Sequence, residues 1–190
     1  MYKLYFFNDF DSVNDETLAL FYRILPPERQ MRINRYRRTI DKKLSAVSYI
    51  ILLYALAKNY DIKNPEILIT EHGKPCLTNY PDIYFNISHC EKGCICAVSD
   101  TSVGVDIQEI RPYFSEIAER VCSAEEMNVI NSTHNKAREF TKIWTMKESY
   151  VKMIGKGISD DIKLINIFNH SQGIVLYEID DCFISVCESI

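Results

Sequence analysis

The sequence has little of what would divide it or carry it into a membrane. It contains no linker rich in proline, glycine or serine and no low-complexity segment. Its longest apolar run, Tyr49–Ala57, is about half the roughly 20 residues that a helix needs to cross a bilayer. The 190 residues therefore predict a globular protein without a membrane segment, built as one domain or as two small halves.

An excess of positive charge and a disulfide framework are also missing. The formal net charge of -4 predicts no general affinity for polyanions and so favours no nucleic-acid partner. The seven cysteines are an odd number without framework spacing, which predicts reduced thiols in a cytoplasmic protein. Phosphate binding would have to come from a local basic cluster, and seven Arg and Lys residues do lie between Arg29 and Lys43.

What is present is an order of elements that occurs twice. In the first half, residues 3–8 predict a strand, and after a loop the basic stretch leads into an apolar helix from Leu44 to about Lys58. Turn signals then separate three short β-like runs, at residues 67–70, 83–87 and 94–98.

The second half repeats this order. Residues 103–107 predict a strand, and Ser123 with Glu126 forms a capping box that begins a short helix. A long helix is predicted from about Lys136 to Ile154, with Gly155 as its end. Three more strands are predicted at residues 162–168, 174–179 and 183–186.

This repeat predicts an α+β fold in which two similar α/β halves pack as an intramolecular pseudo-dimer. The halves would be residues 1–100 and 101–190. A fused pair of this kind needs no partner subunit, so we expect a monomer.

Asp106 interrupts an otherwise apolar predicted strand. A buried carboxylate is costly unless it is paired or bound to a metal, although a solvated Asp at a strand end would give the same pattern. Because side chains alternate along a strand, Asp106 and Gln108 share a face and Glu109 points to the other side.

The predicted long helix carries Glu148 and Lys152 four residues apart, and therefore on one face. That spacing is also common in ordinary surface ion pairs. If Glu148 faces Asp106, the two carboxylates suit Mg²⁺, with water and a substrate phosphate completing its shell. Lys147 and Lys152 would then offset the charge of a diphosphate.

Ser88 and His89 end another predicted strand, where a histidine can donate to a phosphate. Zinc ligation by His89 with nearby cysteines is an alternative, but Cys94 and Cys96 alternate along a strand as core residues do. The stretch 29–43 is either a solvated helix face or a site for a phosphate monoester.

Four short blocks together resemble the signature of the 4′-phosphopantetheinyl transferases, specifically the long, pseudo-dimeric group that includes the surfactin-synthetase activator. They are G-K-P at 73–75, N-I-S-H at 86–89, G-V-D-I at 104–107 and W-T-M-K-E-S-Y-V-K at 144–152, the last followed by G-K-G at 155–157. Their order and spacing make the resemblance specific, and it spans roughly residues 28–160.

The resemblance implies a role for each matching residue. Asp106 and Glu148 would hold Mg²⁺ on the diphosphate of coenzyme A, with Glu148 also the base for the incoming serine hydroxyl. Lys152 would support the diphosphate and the leaving 3′,5′-ADP. Many members carry Glu two residues after the Asp, whereas this chain has Gln108, whose amide oxygen can ligate Mg²⁺ without adding charge.

The other expected contacts with coenzyme A come from several segments. Lys74 and Pro75 belong to the first block, Ser88 and His89 to the second, and Lys147 to the last. The family grips the 3′-phosphate near Arg38 and Lys43, where the alignment is ambiguous by one or two residues.

The implied function is transfer of 4′-phosphopantetheine from coenzyme A to a serine of an apo acyl, peptidyl or aryl carrier protein, with release of 3′,5′-ADP. Two alternatives remain at this point. One is a non-catalytic member that binds coenzyme A or a carrier protein. The other is a nucleic-acid-binding protein that uses residues 29–43, against which the overall acidic charge counts.

Overall fold

Each half of the chain places one long helix against a three-stranded antiparallel sheet. The computed structural model describes residues 1–155, 157 and 160–189. The first half contains β1 (Lys3–Phe7), α1 (Asp15–Ile24), α2 (Pro27–Asn34), α3 (Thr39–Tyr60), β2 (Ile67–Ile69), β3 (Pro75–Leu77), β4 (Tyr84–Cys90) and β5 (Gly93–Ser99). The second half contains β6 (Val103–Glu109), α4 (Ser115–Val121), α5 (Ala124–Ser132), α6 (Lys136–Ile154), β7 (Ile174–Ile179) and β8 (Cys182–Glu188).

The two sheets have the same arrangement. The first has the strand order β1-β5-β4 and the second β6-β8-β7, and every pairing is antiparallel. Helix α3 packs on the first sheet and α6 on the second. The predicted α+β pseudo-dimer is confirmed.

Strand β5 is buried along its whole length because each of its faces packs against a different half. Cys96 and Val98 face a core that includes Leu52 of α3. Ile95 and Ala97 face a core formed by the strands of the second half. Because both of its faces are buried, this strand is almost continuously apolar. Its second face lies in a core that both halves build, so β5 joins the two halves.

The helix ends follow the local signals in the sequence. The Ser123 Oγ accepts a hydrogen bond from the amide of Glu126 at 3.3 Å, and the Glu126 Oε2 accepts one from the amide of Ser123 at 2.7 Å, so the predicted capping box is confirmed. Helix α6 ends at Gly155, whose φ of 75° is left-handed. Within the described residues, no helix is long and apolar enough to span a bilayer.

Several predicted elements were wrong. Residues 162–168 do not form a strand; two 3₁₀ turns, Asp160–Leu164 and Ile167–His170, occupy this region. Ile162 and Ile167 are both buried but lie five residues apart, so they do not alternate as strand residues would. Helix α1 fills the segment predicted as a loop, most of α2 lies within the basic stretch 29–43, and α3 begins five residues before Leu44.

Candidate active site

A cavity of about 450 Å³ opens between the two halves. Its wall in the first half comes from α2, α3, the β2–β3 hairpin and β4, and its wall in the second half comes from α6. Of the residues predicted to contact coenzyme A, this cavity is lined by Lys74, Pro75, Ser88, His89 and Lys152, and Glu148 joins them.

Asp106 lies beside the cavity at the centre of a polar network and is only 1% exposed. Its Oδ1 accepts hydrogen bonds from the Lys152 Nζ at 2.6 Å and from the Ser88 Oγ at 2.7 Å. Its Oδ2 accepts one from the Gln108 Nε2 at 2.9 Å, so the two side chains share a face as predicted. The buried charge is therefore paired and hydrogen-bonded, the condition under which it is tolerated.

Gly104 brings Asp106 close to the helix that carries Glu148 and Lys152. A Cβ atom at Gly104 would lie 2.0 Å from the Ser149 carbonyl oxygen and 2.3 Å from the Met153 nitrogen. Only glycine lets the backbones of β6 and α6 approach so closely. The Ser149 and Ser185 hydroxyls, 2.7 Å apart, join the same helix to β8.

Glu148 is 4% exposed, and its Oε1 has no hydrogen-bond partner among the described residues. Burial and the neighbouring charge of Asp106 raise the pKa of Glu148 to about 7, against the opposing effect of Lys152. A carboxyl group with this pKa can accept a proton near neutral pH.

The described residues include no group of three or more His, Cys, Asp or Glu side chains that could hold a metal. They do offer two neighbouring carboxylates, Asp106 and Glu148, with the amide of Gln108 beside them. A cation could supply the partner that the Oε1 of Glu148 does not find among the residues described. Two acids that leave positions for water and substrate oxygens fit the way proteins bind Mg²⁺.

The wall of the cavity in the first half is positively charged. Arg29 and Arg32 of α2 line it together with His89. The Arg29 guanidinium lies over the ring of Tyr49 at 5.3 Å and donates to the Ser45 carbonyl at 2.8 Å. Burial lowers the pKa of His89, and the charges of Lys152, Arg29 and Arg32 lower it further. Several cations thus converge where, among the described residues of the lining, Glu148 is the only carboxylate.

Comparison with known proteins agrees with this arrangement. Residues 102–188 match the family model of the 4′-phosphopantetheinyl transferase superfamily, and residues 12–101 match the model of the N-terminal part of 4′-phosphopantetheinyl transferases. The 4′-phosphopantetheinyl transferase ffp of Bacillus subtilis is 30% identical over 169 residues, which cover 85% of this chain and 75% of the relative. The chain belongs to the 4′-phosphopantetheinyl transferase superfamily.

Two further relatives carry related names. The 4′-phosphopantetheinyl transferase Sfp of Bacillus subtilis (strain 168) is 29% identical over 184 residues, covering 93% of this chain and 82% of the relative. The L-aminoadipate-semialdehyde dehydrogenase-phosphopantetheinyl transferase of Candida glabrata is 30% identical over 155 residues, covering 76% and 60%. The predicted family resemblance and the enzyme class are confirmed.

Three of the residues that the family resemblance places at coenzyme A do not line this cavity. Arg38 is exposed and pairs with Glu91 at 2.5 Å. The Lys43 Nζ donates to the Phe10 carbonyl at 3.0 Å. Neither residue lines the cavity, because the start of α3 directs both away from it. Arg29 and Arg32, from the same basic stretch, line the cavity instead.

Lys147 is fully buried and also lies outside the cavity lining. Its Nζ forms an ion pair with the Glu126 Oε2 at 2.7 Å and donates to the Ile165 carbonyl. Lys147 precedes Glu148 by one residue, and successive helical side chains are about 100° apart around the axis. The Lys147 side chain therefore points away from the face of α6 that carries Glu148. Its geometry therefore does not support the predicted phosphate contact.

The sequence contained a signal for the missed arginines. Arg29 and Arg32 are three residues apart and so share a face once the segment is helical. The stretch 29–43 was left open between a solvated helix face and a phosphate site, and the bounds of α2 were not predicted, so the shared face of the two arginines was not recognised. Lys156, the middle residue of the last sequence block, lies outside the described residues.

The cysteines considered as zinc ligands have a different role. Cys94 packs with Leu44 and Val47, and Cys96 with Leu52 and Leu56, so both lie under α3 in the core. His89 instead faces the cavity. Core packing explains this part of the sequence.

Proposed function

We propose that this protein transfers the 4′-phosphopantetheine arm of coenzyme A to a serine of an apo carrier protein and releases 3′,5′-ADP. The observation that carries the proposal is the pair formed by a buried Asp106 bound to Lys152 and a neighbouring Glu148 with a free oxygen. This pair borders a cavity lined with cations and large enough for part of a nucleotide. The family of the chain supports the same activity.

The reaction forms a bond from the serine oxygen to the β-phosphorus and breaks the bond from that phosphorus to the bridging oxygen. Glu148 accepts the serine proton, directly or through a water, because its carboxylate lines the cavity that the substrate enters. Lys152 holds positive charge next to the bridging oxygen as 3′,5′-ADP leaves. Phosphoryl transfer depends mainly on such positioning and charge stabilisation.

We propose Mg²⁺ as the cofactor, held by Asp106 and Glu148, with the Gln108 amide oxygen or a water beside them. When bound, the ion neutralises charge on the diphosphate oxygens. Asp106 already engages Lys152 and Gln108, so its orientation is fixed before substrate arrives. The uncharged Gln108 makes the site a two-carboxylate site.

Arg29, Arg32 and His89 are proposed to hold the 3′-phosphate of coenzyme A. They lie close enough together for the two arginines to lower the pKa of His89. Arg29 is half-buried and bonded to a neutral carbonyl, which leaves its charge available to an anion. Ser88 holds Asp106, and Pro75 forms part of the wall, so both act by shaping the site.

The proposed partners are coenzyme A and an apo acyl, peptidyl or aryl carrier protein, and the proposed state is a monomer. One chain supplies both walls of the cavity. We propose no nucleic-acid role for residues 29–43, because Arg29 and Arg32 face the cavity while Arg38 and Lys43 bond to the protein itself. The seven free cysteines, five of them buried, favour the reducing cytoplasm.

Intact-mass analysis of an apo carrier protein tests the activity. After incubation with the protein, coenzyme A and Mg²⁺, we expect a gain of one phosphopantetheine, which a carrier Ser→Ala variant should not show. Glu148→Gln should abolish transfer, and Glu139→Gln, on the same helix but outside the cavity, should retain it. No gain on acyl, peptidyl or aryl carriers, with coenzyme A still bound, would establish a non-catalytic member.

A further inference from the structure

The β2–β3 hairpin forms part of the cavity wall but is attached to the molecule in an unusual way. In the described part of the chain its two strands pair only with each other, apart from both larger sheets. Ile67, Ile69 and Pro75 of the hairpin line the cavity, and the side chains of Leu68 and Ile69 remain largely exposed. So short a hairpin is marginally stable alone. Leu77, with Ile67 beside it, anchors its base in the core of the first half, so the turn is the end whose position depends on another contact.

Lys74, at the end of that turn, reaches across to the second half. Its Nζ donates to the Met153 carbonyl oxygen at 2.7 Å and to the Ser102 Oγ at 3.2 Å. The Ser102 Oγ donates to the same Met153 oxygen at 2.7 Å. One ammonium group thus joins the hairpin, the residue before β6 and the last turn of α6.

The contact with α6 has a clear physical basis. Met153 lies in the last turn of the helix, where carbonyl groups lack partners within the helix. A lysine ammonium at this end satisfies a carbonyl and interacts favourably with the helix dipole. Lys74 is half-buried in this contact, and that burial lowers its pKa.

Two glycines leave room for the contact. A Cβ at Gly155 would lie 2.9 Å from the Lys74 Cδ, and a Cβ at Gly157 would lie 3.2 Å from the His72 carbonyl oxygen. Both glycines also have left-handed φ values, 75° and 72°. The chain after α6 is therefore shaped to receive the hairpin turn.

We propose that Lys74 is a positioning residue that fastens the β2–β3 hairpin to the C-terminal end of α6, and that it does not hold a phosphate. The contact sets the distance between the hairpin wall of the cavity and the helix that carries Glu148 and Lys152. The proposal rests on coenzyme A being the ligand of this cavity. Its first test needs neither ligand nor turnover.

Hydrogen exchange of the free protein provides that test. Lys74→Met keeps most of the apolar stem and removes the ammonium, and Ser102→Ala removes the second partner without changing charge. Both variants should exchange the amides of residues 67–77 faster than the wild type, with β4 and β5 unchanged. Lys63→Met removes an exposed lysine that pairs with Asp61 and serves as the control. Unchanged exchange in Lys74→Met would overturn the proposal.

Ligand titration then separates positioning from phosphate binding. Loss of one charge-assisted contact should weaken binding of coenzyme A by about tenfold in Lys74→Met. A positioning residue predicts the same factor for adenosine, which has no phosphate, and partial rescue by Lys74→Arg. A loss confined to coenzyme A would show a phosphate ligand and reject the proposal. If the wild type fails the carrier assay but the two variants show the faster exchange, the proposed function falls and the positioning role stands.

Discussion

At the scale of single residues, Glu148 shows how the residues around a carboxyl group set its pKa. Its type and helical position are visible in the sequence, but its raised pKa arises from burial and from Asp106 on another element. The same pKa has a consequence for stability. A carboxyl group whose folded-state pKa exceeds its usual value favours folding while protonated and opposes folding once ionised.

We therefore expect Glu148→Gln to stabilise the metal-free protein as the pH rises. The stability that the protonated carboxyl contributes is complete below pH 4.5 and is lost as the pH rises through about 7. Above this range the variant should be more stable than the wild type by about 3 kcal/mol, and the difference should shrink toward pH 4.5. Denaturant unfolding in EDTA, from pH 4.5 to 8.5, measures it.

Glu139→Gln is the matched control for this experiment, because Glu139 pairs with Lys142 outside the cavity. The difference in unfolding free energy between Glu139→Gln and the wild type should not grow as the pH rises through about 7. A pH-independent difference for Glu148→Gln as well would show that the carboxyl group titrates normally in the folded protein.

The phosphate contacts show where residue-level prediction ends. The sequence located the basic stretch, but Arg29 and Arg32 line the cavity, whereas Arg38 and Lys43 do not. Which arginines face inward depends on α2 being a helix and on how it packs against α3. Lys147 lies outside the cavity lining for a related reason, since its partner Glu126 comes from another helix.

At the scale of elements, patterns with a regular period were predicted well. Helix α6 was predicted with its bounds, because it has an apolar face and a glycine stop. Residues 162–168 have apolar content without a period, and their turns depend on tertiary contacts. Strand β3 was missed because it is three residues long and begins with proline.

The contact between β6 and α6 leads to a prediction about Gly104. Gly104→Ala adds a methyl group 2.0 Å from the Ser149 carbonyl, so β6 and α6 must separate. We expect a loss of about 2 kcal/mol in the free energy of unfolding, as for other overpacked sites. The rate of carrier modification should fall by more than the loss of folded protein explains, because Asp106 moves away from Lys152.

Denaturant unfolding and the carrier assay, run below the unfolding transition, measure the two effects. Thr101→Ala, in the exposed turn before β6, is the control and should change neither. A Gly104→Ala protein that is destabilised but fully active when folded would contradict the proposed link between this contact and the site.

At the scale of the whole molecule, the two halves share their interior and their site. Ile95 and Ala97 of β5 pack in one core with Val103, Val105 and Ile107 of β6. The Asn86 Oδ1 of β4 accepts a hydrogen bond from the Val105 amide at 2.9 Å. The pseudo-dimer was visible in the sequence as a repeated order, but how its halves join was not, because that depends on contacts between distant residues.

We propose a boundary between residues 100 and 101, and this boundary gives a final prediction. Fragments 1–100 and 101–190 would each expose the apolar face that the shared core covers, so neither should fold alone. Co-expressed, they should associate and modify an apo carrier, since Ser88 and Asp106 would meet again across the interface. Circular dichroism, gel filtration and the carrier assay measure these outcomes.

In the co-expressed pair, Asn86→Ala and Ser88→Ala should weaken association, because each removes a hydrogen bond between the halves, whereas Lys63→Met should not. A fragment that folds cooperatively alone would show that the shared core is not needed for folding.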